Sequence, residues 1–132
     1  MRFLKFFLLI SMFFTACKTY TQGTLKNSDD IHYNLQVSTD VVGDWRVCPE
    51  FEGNLYLIDA HTKVVGTFYS KKDNRAIYKI VGTYFQETKQ VQAEIVDFNE
   101  TVGIFTGTLN LKDGKGSWHT GVCDGEWKAK VE

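Results

Sequence analysis

Residues 64–84, VVGTFYSKKDNRAIYKIVGTY, contain two segments rich in β-branched and aromatic residues, separated by the turn-forming residues Lys72-Asp73-Asn74. Each segment has a glycine two positions before an aromatic residue, in Gly66-Thr67-Phe68 and again in Gly82-Thr83-Tyr84. Residues two positions apart lie on the same face of a strand. A glycine inside a strand marks a bend or a close backbone approach, and a ring on the same face can cover the gap. The stretch therefore predicts a curved β-hairpin whose concave face carries aromatic side chains.

The same spacing recurs along the chain. The further triplets are Gly43-Asp44-Trp45, Gly103-Ile104-Phe105, Gly107-Thr108-Leu109, Gly116-Ser117-Trp118 and Gly125-Glu126-Trp127. Strand-like segments occupy residues 42–48, 54–59, 64–70, 76–86, 90–98, 102–111, 115–121 and 123–131. Many short strands with regular turns indicate a sandwich or barrel, and the pair Asp113-Gly114 suits a tight type I′ hairpin turn. We predict an all-β fold, an antiparallel up-and-down β-barrel of about eight strands, with a β-sandwich as the alternative.

The first 16 residues are typical of a bacterial secretion signal. Arg2 and Lys5 form a basic start, and the apolar run over 6–14 is shorter than the roughly 20 residues of a membrane-spanning helix. The residues Phe14-Thr15-Ala16-Cys17 resemble the bacterial lipobox, in which the cysteine is acylated and becomes the new amino terminus. The resemblance implies a lipid anchor on Cys17, and Lys18 after it implies the outer membrane. The alternative is an ordinary signal peptide cut near Ala16.

Composition predicts one small domain after the signal. Removing residues 1–16 leaves 116 of the 132 residues. We expect lipidated Cys17 and a polar tether over 17–30, followed by a single barrel domain over 31–132. Arg2 and Lys5 leave with the signal, so 13 basic residues face 16 acidic ones and the formal net charge is −3. This balance gives no sign of the clustered basic face that binds nucleic acid.

The two cysteines that remain, Cys48 and Cys123, predict a disulfide because the cell envelope is oxidising. Two buried free thiols are the alternative. Position numbers of opposed residues sum to a constant in an antiparallel pair. They sum to 171 for the cysteines and to 172 for Trp45 and Trp127, and a bulge can absorb the difference. The pattern predicts that the segment 42–48 lies beside the last strand and closes the barrel. The alternating segment 31–37 would then be an extra strand ahead of the main sheet.

Several of these motifs resemble calycin barrels, particularly the avidin type. Gly43-Asp44-Trp45 is similar to the Gly-x-Trp that lipocalins and avidins share. The segments 65–70 and 78–84 resemble the Thr-Gly-Thr-Tyr and Leu-x-Gly-x-Tyr segments of avidins. The resemblance implies an eight-stranded barrel with a small-molecule site, in which Ser70 fits a pocket serine and Trp118 a pocket tryptophan. Phe68 stands where the family has a ligand-binding tyrosine, and most of the family's biotin-binding residues are not matched.

No catalytic signature is present in the sequence. His32, His61 and His119 lack the spacing of metal ligands, so we expect neither a metal nor another cofactor. Acid–base chemistry would need two carboxylates brought together in space. The candidates for such a pair are Glu50, Glu52, Glu94, Asp97 and Asp124. Nothing in the sequence brings any two of them together, and we predict a protein that is not an enzyme.

The concave face remains as the candidate site. Apolar cavities with a few polar groups are typical of small-molecule sites, while the same aromatic residues could simply pack the core. We expect a non-catalytic, envelope-anchored binding module for a small ligand or an envelope component. The alternative is a structural or protein-interaction lipoprotein that uses its outer surface around a packed core. The candidate ligand-binding residues are Trp45, Phe68, Ser70, Tyr84, Phe105, Trp118 and Trp127, with Gln86, Thr120 and Asp97 as further polar positions.

Overall fold

The computed structural model describes residues 29–41, 48–121 and 123–132, and every regular element in these ranges is a β-strand. Within this described part, no helix is long and apolar enough to cross a membrane. Cys17, the predicted signal and most of the predicted tether lie outside the described residues. The strands are β1 (Ile31–Val37), β2 (Asp40–Val41), β3 (Phe51–Ile58), β4 (Lys63–Ser70), β5 (Ala76–Phe85), β6 (Gln90–Asp97), β7 (Glu100–Leu109), β8 (Asp113–Thr120) and β9 (Cys123–Val131).

The strands form one closed antiparallel sheet. From β3 to β9 each strand pairs with its successor, and β1 pairs with both β3 and β9. The short β2 continues the register of β1 along β9, because Val37 faces Trp127 and Asp40 faces Asp124. Counting β1 and β2 as one interrupted strand gives eight strands. The structure confirms the predicted all-β, up-and-down barrel and excludes the open sandwich.

The strand that closes the barrel differs from the predicted one. Closure uses Ile31–Val37, expected to be an extra strand, and Val37 rather than Trp45 lies opposite Trp127. Residues 42–47, with Trp45 among them, lie outside the described residues. The alternation in β1 explains its place, because Tyr33 and Leu35 are buried while Asn34 and Gln36 are exposed. A strand with one apolar face can close a barrel around a core.

The predicted disulfide between Cys48 and Cys123 is confirmed, with a Cα–Cα distance of 5.7 Å. The position sums had suggested that the bond joins opposed residues of two paired strands, and this prediction is wrong. Cys48 precedes β3, and Val41 is the residue opposite Cys123. The disulfide therefore ties the segment that leads into β3 to the start of the last strand.

The turn between β7 and β8 also differs from the prediction. Asp113 and Gly114 already belong to β8, with Gly114 opposite Leu109. The turn is centred on Leu111 and organised by Asn110, whose Oδ1 accepts hydrogen bonds from the backbone N–H groups of Lys112 (2.8 Å) and Asp113 (2.9 Å). An Asn side chain that bonds its own backbone two residues on forms such a turn without Asp-Gly at its tip.

The glycine and aromatic triplets act across strands. The six described triplets point both their glycine and their large residue inward, as predicted. The indole of Trp127 lies over two glycines of other strands, so that a Cβ on Gly107 would stand 2.6 Å from its Cζ2 and a Cβ on Gly116 2.7 Å from its Nε1. Glycine at these two positions makes room for the ring and lets the sheet bend around it.

The barrel has two distinct ends. The end where β1 begins also carries the turns at 59–62, 86–89 and 110–112, and we call it the entry end. The C-terminal residues lie there too, because the Glu132 N–H donates to the His32 carbonyl and the Val131 N–H to that of Lys112. The disulfide lies at the opposite end.

Candidate functional site

The described candidate residues all lie inside the barrel. Phe68, Phe105, Trp118 and Trp127 are at most 1% exposed, while Ser70 and Tyr84 are also buried. They come from five different strands, which the closed sheet brings together around one axis. The sequence-based assignment of these side chains to the concave face is therefore confirmed.

The aromatic side chains of this set contact one another. The Phe68 ring meets the indole of Trp118 edge-on at 5.4 Å and the ring of Phe105 at 6.2 Å. Phe105 in turn stacks on Trp127 at 4.5 Å, with 13° between their planes. Phe51, which the sequence analysis had not singled out, packs against both Phe68 and Trp118. The rings form one continuous cluster that fills the barrel.

Both interior tryptophans use their indole N–H groups within the barrel. Trp118 Nε1 donates to the backbone carbonyl of Ser38 at 3.0 Å, and Trp127 Nε1 donates to that of Thr106 at the same distance. A buried indole N–H needs such a partner. A ligand inside the barrel would find neither donor free.

Two buried tyrosines bond to the backbone near the entry end. The Tyr84 hydroxyl donates to the Leu109 carbonyl at 2.6 Å, and the Tyr33 hydroxyl donates to the Asn110 carbonyl at 2.7 Å. Burial raises the pKa of Tyr33 to about 12, with further contributions from Tyr84 and Asp113, and burial also raises the pKa of Tyr84. Both phenols are therefore neutral hydrogen-bond donors at neutral pH and tie the turn after β7 to the core.

The buried hydroxyl groups are likewise engaged locally. Ser70 Oγ accepts a hydrogen bond from the Lys72 N–H at 3.3 Å. Thr120 Oγ1 accepts from the Cys123 N–H at 3.2 Å and donates to the carbonyl of the same residue at 3.3 Å. Each hydroxyl stabilises a tight turn at the disulfide end.

The other two polar positions lie at the two ends of the barrel. Gln86 is exposed and its amide nitrogen donates to the carbonyls of Ala60 and His61 at the entry end. Asp97 is only half-buried at the end of β6, where it contributes to the raised pKa of Tyr78, which is caused mainly by burial. Gln86 thus lies outside the concave face, whereas Asp97 lies half-buried near Tyr78, which packs against the core rings of Phe51 and Phe68.

The side chains considered for acid–base or metal chemistry come from several strands, and His119 and Asp124 are cross-strand neighbours. Glu94 lies on the outer face and accepts a hydrogen bond from Thr101 at 2.7 Å. His32 packs against the Tyr56 ring at 4.4 Å, and His61 Nε2 lies 2.6 Å from the Asp29 carbonyl. In the ranges 29–41, 48–121 and 123–132, no group of three or more His, Cys, Asp or Glu side chains could hold a metal ion.

A feature that the sequence analysis missed lies on the outside of the barrel. A groove of about 880 Å³ crosses the outer faces of β8, β9 and β1 and extends to the turns at the entry end. We call it the lysine groove, and its polar lining includes Lys89, Lys115, Lys128, Lys130, Asn34 and Gln36. The outward alternation of Lys128 and Lys130 was visible in the sequence, but their neighbours come from strands distant along the chain.

Comparison with known proteins adds no relative. No protein-family model, no curated protein and no solved structure matches this chain. The likeness to calycins therefore stays a prediction from short motifs, and the closed barrel is established by the strand pairing alone.

Proposed function

We propose that this chain is an envelope-anchored lipoprotein that binds an envelope component through the outer surface of a packed barrel and has no catalytic role. The observation that carries the proposal is the filled interior. Phe68, Phe105, Trp118 and Trp127 are almost completely buried and in ring contact. Because a bound molecule would have to displace these rings, the outer surface is the better candidate for recognition.

The polar groups inside the barrel support the same reading. Specific small-molecule sites combine apolar walls with a few polar groups free to orient the ligand. Here the indole N–H groups of Trp118 and Trp127 and the Tyr84 hydroxyl donate to backbone carbonyls of the barrel. Replacing these bonds with bonds to a ligand would leave buried carbonyl groups unpaired, which costs free energy.

The anchor in this proposal is Cys17, and the membrane is the partner it implies. Several acyl chains on one cysteine would hold the protein stably, whereas a single chain binds only marginally. The cysteine and the basic residue after it support an outer-membrane location. Replacing Cys17 with alanine should release the protein from the membrane fraction.

The test uses the full-length chain, made in a bacterial host that processes lipoproteins. Intact mass reports acylation of Cys17 and, as a loss of two hydrogens, the Cys48–Cys123 bond. A photo-crosslinking amino acid is then placed at Gln36, which lines the lysine groove, and as the matched control at Lys79 on the opposite wall. We expect a defined envelope component to crosslink at Gln36 and not at Lys79.

The rival reading, a small ligand inside or at the mouth of the barrel, has its own measurement. Native mass spectra of the same protein are recorded with biotin and with an extract of small envelope metabolites. A stoichiometric small-molecule adduct that is lost in Trp118→Phe would overturn the outer-surface proposal in favour of an interior site. Absence of an adduct, together with crosslinking at Gln36, is the result we expect.

A further inference from the structure

The lysine groove carries unpaired positive charge. Lys115 of β8 and Lys128 of β9 are direct cross-strand partners on the outer face. Like charges directly opposite each other destabilise a sheet. Lys130 lies two residues beyond Lys128 on the same face, and Lys89 reaches the groove from the turn after β5. An arrangement that costs stability in the isolated protein is relieved when an anion covers it.

Acidic side chains offset these lysines only in part, because four lysines and one carboxylate, that of Asp113, line the groove. Within residues 29–41, 48–121 and 123–132, the ion pair formed is that of Arg75 with Asp73 (3.4 Å), on a turn at the disulfide end. Asp113 also lines the groove, faces Lys130 across the strands and accepts a hydrogen bond from the Asn110 side-chain amide at 3.1 Å. The groove therefore keeps a formal net charge of +3, from four lysines and one aspartate, which an outside anion can balance.

Charge is also segregated along the last strand. Its outward positions are acidic at Asp124 and Glu126, near the disulfide end, and basic at Lys128 and Lys130, towards the entry end. On the β1 side the polar side chains opposite the two lysines are neutral amides, because Gln36 faces Lys128 and Asn34 faces Lys130. Ammonium and amide donors side by side suit the oxygen atoms of phosphate groups.

The groove lies at the end of the barrel where the anchor would attach. It reaches the entry end, and β1 begins there at Ile31. From Cys17 to Ile31 the chain has 14 residues, which can span at most roughly 50 Å. An acylated Cys17 therefore keeps the groove within reach of the lipid headgroups and raises its local concentration there.

We propose that the lysine groove binds the phosphate groups of anionic lipid headgroups at the membrane that carries the anchor, an inference that rests on the lipoprotein function proposed above. Each lysine near an anionic bilayer adds a favourable term that salt screens. Neutralising three lysines should weaken the contact on the order of 100-fold at low ionic strength. The contact would orient the barrel with its entry end and groove towards the membrane.

The experiment measures the contact with the membrane separately at each lysine, through its rate of acetylation. The purified full-length protein is incorporated into vesicles of phosphatidylcholine alone or of phosphatidylcholine and phosphatidylglycerol in equal parts. Lysines are acetylated and the rate at each position is followed by peptide mass spectrometry. We expect Lys89, Lys115, Lys128 and Lys130 to react several-fold more slowly in the anionic vesicles, with the difference lost at high salt. Lys63 and Lys79 on the opposite wall are the internal control.

Variants test whether the groove itself makes the contact. In the triple variant Lys115→Gln, Lys128→Gln, Lys130→Gln, the protection of Lys89 should disappear. The double variant Lys63→Gln, Lys79→Gln, on the opposite wall, should keep it. The triple variant removes a repulsive pair, so we expect it to fold at least as stably, which a melting curve checks. Equal acetylation of the groove lysines in both vesicle types overturns the proposal.

Two further outcomes separate the proposals. If inorganic phosphate protects the same lysines fully in phosphatidylcholine vesicles, the groove is a site for a soluble phosphate compound and the membrane assignment is overturned. If intact mass shows no acyl chains, the anchor in the proposed function fails. The lysine comparison still decides the groove in that case, because the unanchored protein can be added to the same vesicles.

Discussion

Removing the Cys48–Cys123 disulfide should lower the free energy of unfolding by about 4.5 kcal/mol. The bond joins residues 75 positions apart, and closing a loop of that length in the unfolded chain accounts for this figure on the chain-entropy estimate. Domains of this size have unfolding free energies of roughly 5–15 kcal/mol. The disulfide therefore supplies a large share of the stability of the barrel.

Two perturbations separate the effect of the cross-link from the effect of packing. Dithiothreitol breaks the bond but keeps both sulfur atoms, whereas the double variant Cys48→Ala, Cys123→Ala also removes them from buried positions. Urea unfolding, followed by circular dichroism, gives the stability and the slope with denaturant for each. Because the cross-link acts on the unfolded chain, the reduced protein and the double variant should lose similar amounts of stability. Both should also show a steeper slope with urea, since more surface is exposed on unfolding.

The outcome that contradicts this reasoning is equally definite. A loss below about 1 kcal/mol in both forms, with an unchanged slope, would mean that the cross-link does not restrict the unfolded chain. A large loss in the alanine variant alone would assign the effect to packing around the two sulfur atoms. The native barrel without reductant is the reference in both cases.

Three other changes have outcomes that follow from single positions. Phe98 is 94% exposed at the tip of the β6–β7 turn with φ of 56°. Phe98→Asn should raise the unfolding free energy by about 0.5–1 kcal/mol, since Asn tolerates this conformation. A lower unfolding free energy of the variant in urea would mean that the ring makes a stabilising contact. Gly107→Ala should lower the free energy of unfolding by about 1–3 kcal/mol, because the new Cβ meets the indole of Trp127 at 2.6 Å. The control Gly121→Ala, where a Cβ would have nothing within 4 Å, should leave the melting temperature unchanged. Equal melting temperatures for the two variants would refute the packing argument. The pKa of Tyr33 is raised to about 12 from 10.0, so the stability contributed by its neutral hydroxyl is complete below pH 10. This stability, roughly 3 kcal/mol, is lost as the pH rises through about 12. Tyr33→Phe should remove this part of the loss in urea titrations at alkaline pH, and an unchanged pH dependence would contradict the prediction.

Local sequence was sufficient to predict most of the described strands from residue 54 onward and the faces that they bury. Alternation of apolar and polar residues specifies which side of a strand faces the core, since successive side chains point to opposite faces. Glycine two positions before a large residue placed both on the concave side, as in Gly66 with Phe68 and Gly116 with Trp118. The cysteine pair was also predictable, because two cysteines that follow a predicted export signal favour a disulfide.

Local signals misled where two interpretations had equal support. The Asp113-Gly114 pair is a good turn sequence, but the Asn110 side chain organises an earlier turn and draws Asp113 into β8. Position sums gave a plausible register for Trp45, yet an apolar face on residues 31–37 placed that segment beside the last strand. A choice of this kind depends on which strand better covers the core, and covering the core involves every other strand.

The tertiary structure alone decided what the aromatic and lysine residues face. Sequence placed Phe105 and Trp127 on inner faces, but only the closed sheet brings these rings, 22 positions apart, into a stacked pair that fills the interior. The lysine groove arises in the same way, because register sets Gln36 beside Lys128 and Lys128 beside Lys115. Strand direction and face follow from short-range sterics and burial, whereas the neighbours of a side chain follow from long-range pairing that no local pattern records.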